Sequence, residues 1–304
     1  MRIAVVGAGA MGSVYAGLLA DGGHEVTAVD VDTEHVAAIR ERGLRVEGAS
    51  GKRVVRIRAT TDAAEVGPVG LVVVATKSMA ARAAAESAVP MLDDDTTVLT
   101  IQNGLGAADE VAAAVGESRV LVGIAGGFGA SLVRPGHAHH HGMEIVRLGE
   151  LRGPATERTE RVAEAWRRAG FTVEILDDVR RLLWEKLICN ACYAGIGGLL
   201  ELTLGEVLAD PYAWSVALRC AQEALDVGRS RGVHLDIPDC EAYVRDYGLA
   251  IPDARPSLLL DLLAGKPTEV EWINGSVVRE GARAGIPTPA NETVTALVLA
   301  KQGR

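Results

Sequence analysis

The stretch Ile3–Gly12, with the sequence IAVVGAGAMG, determines the fold of this 304-residue chain. Four apolar residues, typical of a buried strand, run directly into the pattern G-x-G-x-x-G, which opens a helix. In such a loop Gly7 permits a tight turn, Gly9 lets the backbone approach a pyrophosphate, and Gly12 lets the helix pack against the strand. The stretch therefore predicts a dinucleotide-binding loop at the start of the chain.

The residues next to this loop refine the predicted site. Ala10 and Met11 open the helix, whose N-terminal N–H groups and positive dipole end favour phosphate. A second strand, Val26–Val29, ends in Asp30, 18 residues after Gly12. A carboxylate at this point accepts hydrogen bonds from the two adenosine ribose hydroxyls and repels a 2′-phosphate. The sequence thus favours NAD(H) over NADP(H).

The first part of the chain alternates between short apolar strands and helices. The strands are nearly continuous apolar runs, as expected of a parallel sheet that is covered on both faces. After residue 177 helices dominate, punctuated by prolines. We therefore predict an α/β chain with a Rossmann doubly wound parallel sheet over residues 1–177 and an all-helical domain over residues 178–304. The principal strands are expected at Ile3–Val6, Glu25–Val29, Leu71–Ala75, Thr96–Ile101, Arg119–Gly127, Glu144–Leu148 and Thr172–Leu176.

Composition excludes several classes of protein. The hydrophobic content of 48% and the absence of low-complexity blocks indicate a folded chain rather than a disordered one. A net charge of −9 argues against a general nucleic-acid binder, which usually carries a basic surface. The longest uncharged runs are too short for a membrane span, and no secretory signal pattern opens the chain. We therefore expect a cytoplasmic protein without nucleic-acid or membrane partners.

Polar residues follow two of the predicted strands. Lys77 comes shortly after the strand Leu71–Ala75, and Asn103 follows the strand Thr96–Ile101. Ligands bind at the carboxyl ends of strands in open α/β sheets. Lys77 is a candidate partner for a cofactor phosphate or a substrate anion, and its alternative is a solvated surface lysine. Asn103 is a candidate to orient a nicotinamide or a carbonyl oxygen, and its alternative is a plain Asn-Gly turn.

A later helix carries two further polar residues. Lys186 and Asn190 are four residues apart and so share one helix face. Both are costly to bury without partners on a helix that is otherwise apolar. A lysine ammonium can donate a proton to a carbonyl oxygen, which indicates acid catalysis.

Taken together, these motifs resemble the ketopantoate reductase (2-dehydropantoate 2-reductase) family over essentially the whole chain. The motifs are jointly specific although each alone is common. They comprise the glycine loop, Thr76-Lys77, Gln102-Asn103-Gly104, Trp184-Glu185-Lys186-Leu187, the block from Ser257 to Asp261 and the block from Gly265 to Gly275.

The resemblance implies hydride transfer from a reduced nicotinamide to the keto carbon of a small anionic 2-oxo acid, giving a 2-hydroxy acid. Lys186 matches the general acid of the family, and Glu269 matches the acid that assists it. Asn103, Asn190 and Ser257 match groups that hold the substrate. The resemblance also implies a helical domain for substrate binding and dimerisation, a homodimer, and a site in the cleft between the domains.

Two departures from the family pattern bear on substrate and cofactor. The family usually has a second asparagine eight residues after the lysine, where this chain has Ala194. Family members that use NADPH tend to place arginine near Asp30-Val31, where this chain has none. One alternative is therefore an NAD-dependent D-2-hydroxyacid dehydrogenase acting on another branched or aromatic substrate. Another, of a different class, is a non-catalytic NAD-binding sensor.

Four histidines, His137 and His139–His141, lie close together in sequence. Adjacent histidines on a strand point to opposite faces and cannot all converge on one ion. We therefore predict a polar strand here, rather than a metal site or a contact with substrate, and no metal elsewhere. The four cysteines are expected to be free thiols, because disulfides are rare in cytosolic proteins.

Overall fold

The computed structural model describes residues 1–127, 129–142 and 145–303, and the chain forms two compact units. The first unit comprises Met1–Gln102 and Ala107–Val179. The second comprises Asn103–Gly106 and Arg180–Arg304. The sequence analysis predicted one boundary, after residue 177. It did not predict that the segment 103–106 groups with the helical part of the chain.

Twelve strands occur among the described residues, and all of them belong to the first unit. They are β1 (Arg2–Val6), β2 (Glu25–Val29), β3 (Leu44–Gly48), β4 (Arg53–Val55), β5 (Arg58–Thr60), β6 (Leu71–Val74), β7 (Thr97–Thr100), β8 (Val120–Gly126), β9 (Gly129–Arg134), β10 (His137–Gly142), β11 (Ile145–Glu150) and β12 (Val173–Leu176).

Eight strands form the main sheet in the order β12-β11-β8-β7-β6-β1-β2-β5. Neighbouring strands run parallel except β8 and β11, which pair antiparallel. The predicted doubly wound parallel sheet is therefore confirmed, with one antiparallel pair that the sequence analysis did not foresee. No helix lies between β8 and β11 among the described residues; β9 and β10 lie there instead. A parallel pair would normally require a crossover helix.

The remaining four strands form a smaller sheet in the order β4-β3-β10-β9. The histidine run lies on β10, which pairs with both β3 and β9. His137 and His140 are buried, and Nε2 of His137 lies 3.0 Å from a carboxylate oxygen of Glu47. The run is thus a strand, as predicted. In the described ranges no cluster of three or more His, Cys, Asp or Glu side chains is arranged to hold a metal ion.

Helices pack on the main sheet and make up the second unit. The helices are α1 (Ala10–Asp21), α2 (Thr33–Arg42), α3 (Ala81–Ala88), α4 (Ala107–Val115), α5 (Glu157–Arg168), α6 (Val179–Leu200), α7 (Leu204–Ala209), α8 (Pro211–Ser230), α9 (Cys240–Ala250), α10 (Ser257–Leu263), α11 (Asn274–Ala284) and α12 (Pro289–Gln302). Short 3₁₀ turns occur at Ala63–Glu65, Ser78–Ala80, Val89–Met91 and Glu117–Arg119.

Elements on either side of the sheet centre lie within a few residues of their predicted bounds. Strand β2 covers Glu25–Val29 as predicted. Strand β11 begins at Ile145, and the first residue of the strand predicted here, Glu144, lies outside the described residues. In the sheet register Val6 pairs with Val29 on one side and with Val74 on the other. The carboxyl ends of the three adjacent strands β2, β1 and β6 therefore lie side by side.

The second unit is built around α6. This helix is buried along most of its length, in a cluster of apolar side chains from α7, α8, α9, α11 and α12. All four cysteines are buried as free thiols, as expected. Burial raises the pKa of Cys240 to about 11, because the thiolate would lose its hydration. In the parts of the chain that the structure describes, no helix is long and apolar enough to cross a membrane.

Candidate functional site

The glycine loop connects β1 to α1 and has the geometry of a phosphate-binding turn. Gly7 has a φ of +90°, and a Cβ at this position would stand 2.5 Å from Cγ2 of Thr76. A Cβ on Gly12 would stand 1.9 Å from the carbonyl oxygen of Gly7, so that the helix approaches the strand more closely than alanine allows. A Cβ on Gly9, in contrast, would meet no atom within 4 Å. The open space beside Gly9 is where a pyrophosphate fits.

The N-terminus of α1 faces this loop without a side-chain cap. Gly9 is the N-cap residue and provides no side-chain cap, and the first turn begins with Ala10 and Met11. Helix α1 has 12 residues, and its first backbone N–H groups provide donors and a positive dipole end. The loop and helix together fit the diphosphate of a dinucleotide.

Asp30 lies directly after β2, beside the loop. Its Oδ1 accepts a hydrogen bond of 2.9 Å from the backbone N–H of Asp32. Asp32 in turn caps α2, because its Oδ1 accepts a 2.9 Å hydrogen bond from the N–H of His35. The neighbouring side chain, Val31, is 91% exposed. Two carboxylates, each accepting a backbone hydrogen bond, thus lie just after β2, the position from which the sequence analysis expects the adenosine ribose to be bound.

Lys77 follows β6 at the same edge of the sheet, one residue after the Thr76 that packs against Gly7. A side chain that the sequence analysis did not single out holds this segment. The amide nitrogen of Gln102 donates to the carbonyl oxygens of Val74, at 2.7 Å, and Thr76, at 3.1 Å. Its amide oxygen accepts from the hydroxyl of Thr100. Gln102 therefore ties the ends of β6 and β7 together next to Lys77.

The segment 103–106 belongs to the second unit because it is fixed to the turn before α11. The N–H of Leu105 donates to the carbonyl oxygen of Trp272 at 3.0 Å. Gly104 has a φ of +78°, and a Cβ here would stand 2.0 Å from that same oxygen. Only glycine permits this approach. As a result Nδ2 of Asn103 lies 3.5 Å from Oε2 of Glu269.

Glu269 is 8% exposed and lies in a turn between α10 and α11. The turn is anchored at both ends. The carbonyl oxygen of Glu269 accepts from the N–H groups of Trp272 and Ile273, both at 3.0 Å. The preceding residue, Thr268, donates its N–H and its hydroxyl to the side-chain oxygen of Gln302, both at 2.8 Å. The contact with Gln302 has no signal in the local sequence, because it joins residues far apart in the chain.

Lys186 lies on α6 and interacts electrostatically with Glu269. Burial lowers the pKa of Lys186 from its ordinary value of 10.5 to about 8, because the charged form loses hydration, while the negative charge of Glu269 offsets part of that loss. The ammonium is therefore a stronger acid than an exposed lysine, yet it remains largely protonated at neutral pH. This is the property that a general acid needs.

The other two predicted substrate-binding residues lie on different helices. Asn190 is one turn after Lys186 on α6 and is partly exposed. Ser257 is exposed and begins α10, where Pro256 is the N-cap residue.

Close packing on α6 fixes the position of Ser257. A Cβ on Gly197 would stand 2.8 Å from Cγ of Pro256, and a Cβ on Gly198 would stand 2.2 Å from Cδ2 of Leu258. The two residues that flank Ser257 therefore press against two adjacent glycines of α6. The sequence analysis gave these two glycines no role.

The chain carries a dinucleotide loop on a Rossmann sheet. It also carries a lysine whose pKa is lowered and which interacts with an acid that an amide contacts. These features define the class of nicotinamide-dependent oxidoreductases that act on a carbonyl or a CH–OH group. Comparisons with known proteins refine this class. The family model described as "Ketopantoate reductase PanE/ApbA" matches residues 3–153, and its C-terminal model matches residues 178–302. The chain belongs to the ketopantoate reductase family.

Relatives of similar length support this assignment. The 2-dehydropantoate 2-reductase of Pyrococcus horikoshii is 32% identical over 302 residues, which cover 99% of this chain and 98% of the relative. That of Halobacterium salinarum is 33% identical over 303 residues and covers 99% of each. Like them, this chain is an oxidoreductase that reduces a 2-oxo acid to a 2-hydroxy acid with a nicotinamide cofactor.

Solved structures agree with the fold over the full length. The PanE/ApbA family ketopantoate reductase from Ralstonia eutropha has a TM-score of 0.91 and 33% identity, covering 100% of this chain and 99% of that one. A D-mandelate dehydrogenase solved with NADH and anilino(oxo)acetate has a TM-score of 0.90 and 26% identity, covering 100% and 98%. The predicted combination of a Rossmann sheet with a helical C-terminal part is thus confirmed.

Proposed function

We propose that this enzyme uses NADH to reduce a 2-oxo acid whose side chain is branched and apolar, and that Lys186 is the general acid. The observation that carries the chemistry is the association of Lys186, Glu269 and Asn103 in one unit. The observation that carries the substrate preference is Ala194. The bound nicotinamide supplies the hydride that reduces the keto carbon.

Lys186 provides the proton that completes the reaction. As negative charge develops on the carbonyl oxygen, the ammonium donates a hydrogen bond and then a proton to that oxygen, leaving a neutral amine and a 2-hydroxy acid. The amine recovers its proton from water after the product leaves. A lysine with a pKa of about 8 suits both steps, since it gives up its proton more readily than an exposed lysine and regains it at neutral pH.

Glu269 influences the protonation of this lysine, and Asn103 adds a polar group that can position the substrate. The Glu269 carboxylate favours the protonated form of Lys186. Asn103 lies 3.5 Å from that carboxylate and brings a second polar group to the reacting centre. Asn190 and Ser257 add an amide and a hydroxyl, which suit a substrate carboxylate or hydroxyl as hydrogen-bond partners.

Ala194 supports an apolar substrate side chain. It lies eight residues after Lys186 and four after Asn190, so it continues their helix face. Its methyl group is 5% exposed and belongs to the apolar cluster around α6. A methyl group offers no hydrogen bond to a substrate hydroxyl, whereas the family asparagine does. A hydroxyl buried here without a partner would weaken binding.

Two carboxylates support NADH over NADPH. Residues 30–34 read Asp-Val-Asp-Thr-Glu and contain no positive charge. Asp30 and Asp32 are both held by backbone hydrogen bonds at the end of β2. A 2′-phosphate near them would meet repulsion without a compensating arginine.

A matched pair of substrates tests the proposal. 2-Dehydropantoate and 3,3-dimethyl-2-oxobutanoate differ only by one hydroxyl group, and phenylglyoxylate extends the panel to an aromatic side chain. We expect kcat/KM to be highest for a substrate without the hydroxyl, and to be higher with NADH than with NADPH. In Ala194→Asn the preference should move toward 2-dehydropantoate. A wild-type preference for 2-dehydropantoate with NADPH would overturn the proposal.

One competing function has a specific observation in its favour. The similarity to a D-mandelate dehydrogenase solved with NADH supports oxidation of an aromatic 2-hydroxy acid. Higher kcat/KM for phenylglyoxylate than for 3,3-dimethyl-2-oxobutanoate would favour that function. Tight NADH binding without turnover of any substrate would favour the sensor. The cytoplasmic location and the homodimer stay predictions.

A further inference from the structure

A continuous series of hydrogen bonds joins the ribose side of the cofactor site to its phosphate side. It begins with the two bonds that link Asp30 to Asp32 and Asp32 to the backbone of His35. Nε2 of His35 then lies 3.1 Å from Oγ of Ser13. The hydroxyl of Ser13 donates to the carbonyl oxygen of Ala8 at 2.7 Å. Ala8 lies in the glycine loop itself.

The partners of His35 determine its protonation. Because the Ser13 hydroxyl proton goes to Ala8, Oγ is an acceptor toward the imidazole, so Nε2 carries a proton. Nδ1 accepts a 3.1 Å hydrogen bond from the N–H of Gly136 and so carries none. His35 is 1% exposed, and burial lowers its pKa below the ordinary 6.5, while the charges of Asp30 and Asp32 oppose this change. His35 is thus a neutral, fixed side chain at neutral pH.

This arrangement fixes the orientation of one peptide plane in the loop. In a trans peptide the carbonyl C=O and the N–H point in opposite directions. The Ala8 carbonyl is held toward Ser13 on α1, so the N–H of Gly9 points away from it. The position next to Gly9 is the open one, where a Cβ would meet no atom within 4 Å. The hydrogen bond from Ser13 therefore fixes the direction of the Gly9 N–H, in the loop that carries this open position.

We propose that His35 and Ser13 are positioning residues for the dinucleotide. They orient the Ala8–Gly9 peptide toward the diphosphate and hold it at a fixed distance from Asp30. Neither residue contacts the cofactor. This inference rests on NADH binding at the glycine loop, and it assigns part of that affinity to side chains outside the glycine pattern.

Substitutions that remove different hydrogen bonds of His35 and Ser13 test this proposal. His35→Phe keeps a ring and removes both hydrogen bonds of the imidazole. Ser13→Ala removes the hydroxyl that accepts from His35 and donates to Ala8. His35→Gln retains a donor toward Ser13. We expect His35→Phe and Ser13→Ala to raise the Kd for NADH about tenfold, with kcat at saturating NADH changed less than about twofold. His35→Gln should restore most of the affinity. The double variant H35F/S13A should bind no more weakly than either single variant, because both substitutions break the same series of hydrogen bonds.

His24→Phe is the matched control. His24 belongs to the same unit and bonds the carbonyl oxygen of Ala165 at 3.1 Å, at the opposite end of β2. Its substitution disturbs a histidine without touching the loop. NADH binding is followed by titration of fluorescence, and circular dichroism reports folding of each variant.

The outcomes separate this inference from the proposed function. If the wild type binds neither dinucleotide, both fail. If Asp30→Ala weakens NADH binding but folded His35→Phe, His35→Gln and Ser13→Ala bind as tightly as the wild type, the inference alone fails. A change in kcat with no change in Kd would also contradict it. Should His35→Phe not fold, Ser13→Ala and His35→Gln decide the question.

Discussion

Nδ2 of Asn103 lies 3.5 Å from Oε2 of Glu269, although 166 positions separate the two residues in the chain. The contact depends on Gly104, whose φ of +78° and proximity to the Trp272 carbonyl oxygen exclude a side chain. A turn that looks ordinary in sequence therefore brings an amide to the buried carboxylate of Glu269, in another segment.

Gly104→Ala should lower kcat more than about tenfold, because its Cβ would stand 2.0 Å from the Trp272 oxygen and displace Asn103. Gly232→Ala is the control, since Gly232 also has a positive φ, of +74°, but a Cβ there meets no atom within 4 Å. Both variants share the backbone strain, and only one has the collision. Steady-state rates and thermal unfolding of the two, measured together, distinguish displacement of Asn103 from general destabilisation. Equal losses of kcat in both would contradict the role of the Trp272 contact.

Lys186→Ala should lower kcat by at least about 100-fold, a typical loss for a general acid. Binding of NADH should change little, because Lys186 is assigned to the substrate carbonyl. Lys52→Ala, at an exposed position in the first unit, should leave both quantities unchanged. Near-normal turnover in Lys186→Ala would remove this residue from the proposed role.

The rate of reduction should fall as pH rises through about 8, since the general acid must be protonated. The reverse oxidation needs the neutral amine, so its rate should rise over the same range. Glu269→Gln removes the charge that raises the pKa of Lys186, and the falling limb should move to lower pH in that variant. Profiles of kcat/KM for wild type and variant, recorded in both directions, check the sign. A limb that stays in place would indicate that Glu269 does not influence the acid.

The double variant Asp30→Ala with Val31→Arg should change the cofactor preference toward NADPH. The ratio of kcat/KM for NADPH to that for NADH should rise about 100-fold, because charge-assisted hydrogen bonds contribute roughly 1.5–3 kcal/mol each. Val31 is 91% exposed, so an arginine fits there without repacking. Val54→Arg, at another exposed valine of the first unit, serves as the control. An unchanged ratio would show that the ribose edge lies elsewhere.

Local patterns predicted the parts of the fold that depend on neighbouring residues. The run Ile3–Val6 followed by three spaced glycines indicated a strand, a turn and a helix, because each needs only residues close in sequence. The apolar runs at β2, β6 and β7 predicted a parallel sheet for the same reason. The antiparallel pair β8 and β11 was missed, since strand direction depends on how a long connection is folded.

For the candidate site, the sequence predicted some residues from their spacing and others only through the family resemblance. Lys186 and Asn190 could be recognised from their helical spacing, whereas Ser257 and Glu269 came only from the resemblance to a family. His35 and Gln302 were not anticipated, and Gln102 was part of a recognised motif but was given no role. Each of these three acts through contacts with segments that are distant in the sequence, so no periodicity or motif marks them.

The grouping of Asn103–Gly106 with the helical unit has a consequence for how this protein can be divided. A gene fragment that starts near residue 178 would encode α6 to α12 with Lys186, Asn190, Ser257 and Glu269, but it would lack Asn103. Likewise, the Trp272 carbonyl would lose the backbone donor of Leu105. Under the proposed function, recombination at the apparent boundary would thus exchange a unit that lacks one of the proposed site residues. Under the same proposal, a new cofactor unit joined to this helical unit would also need to supply the Asn-Gly-Leu segment.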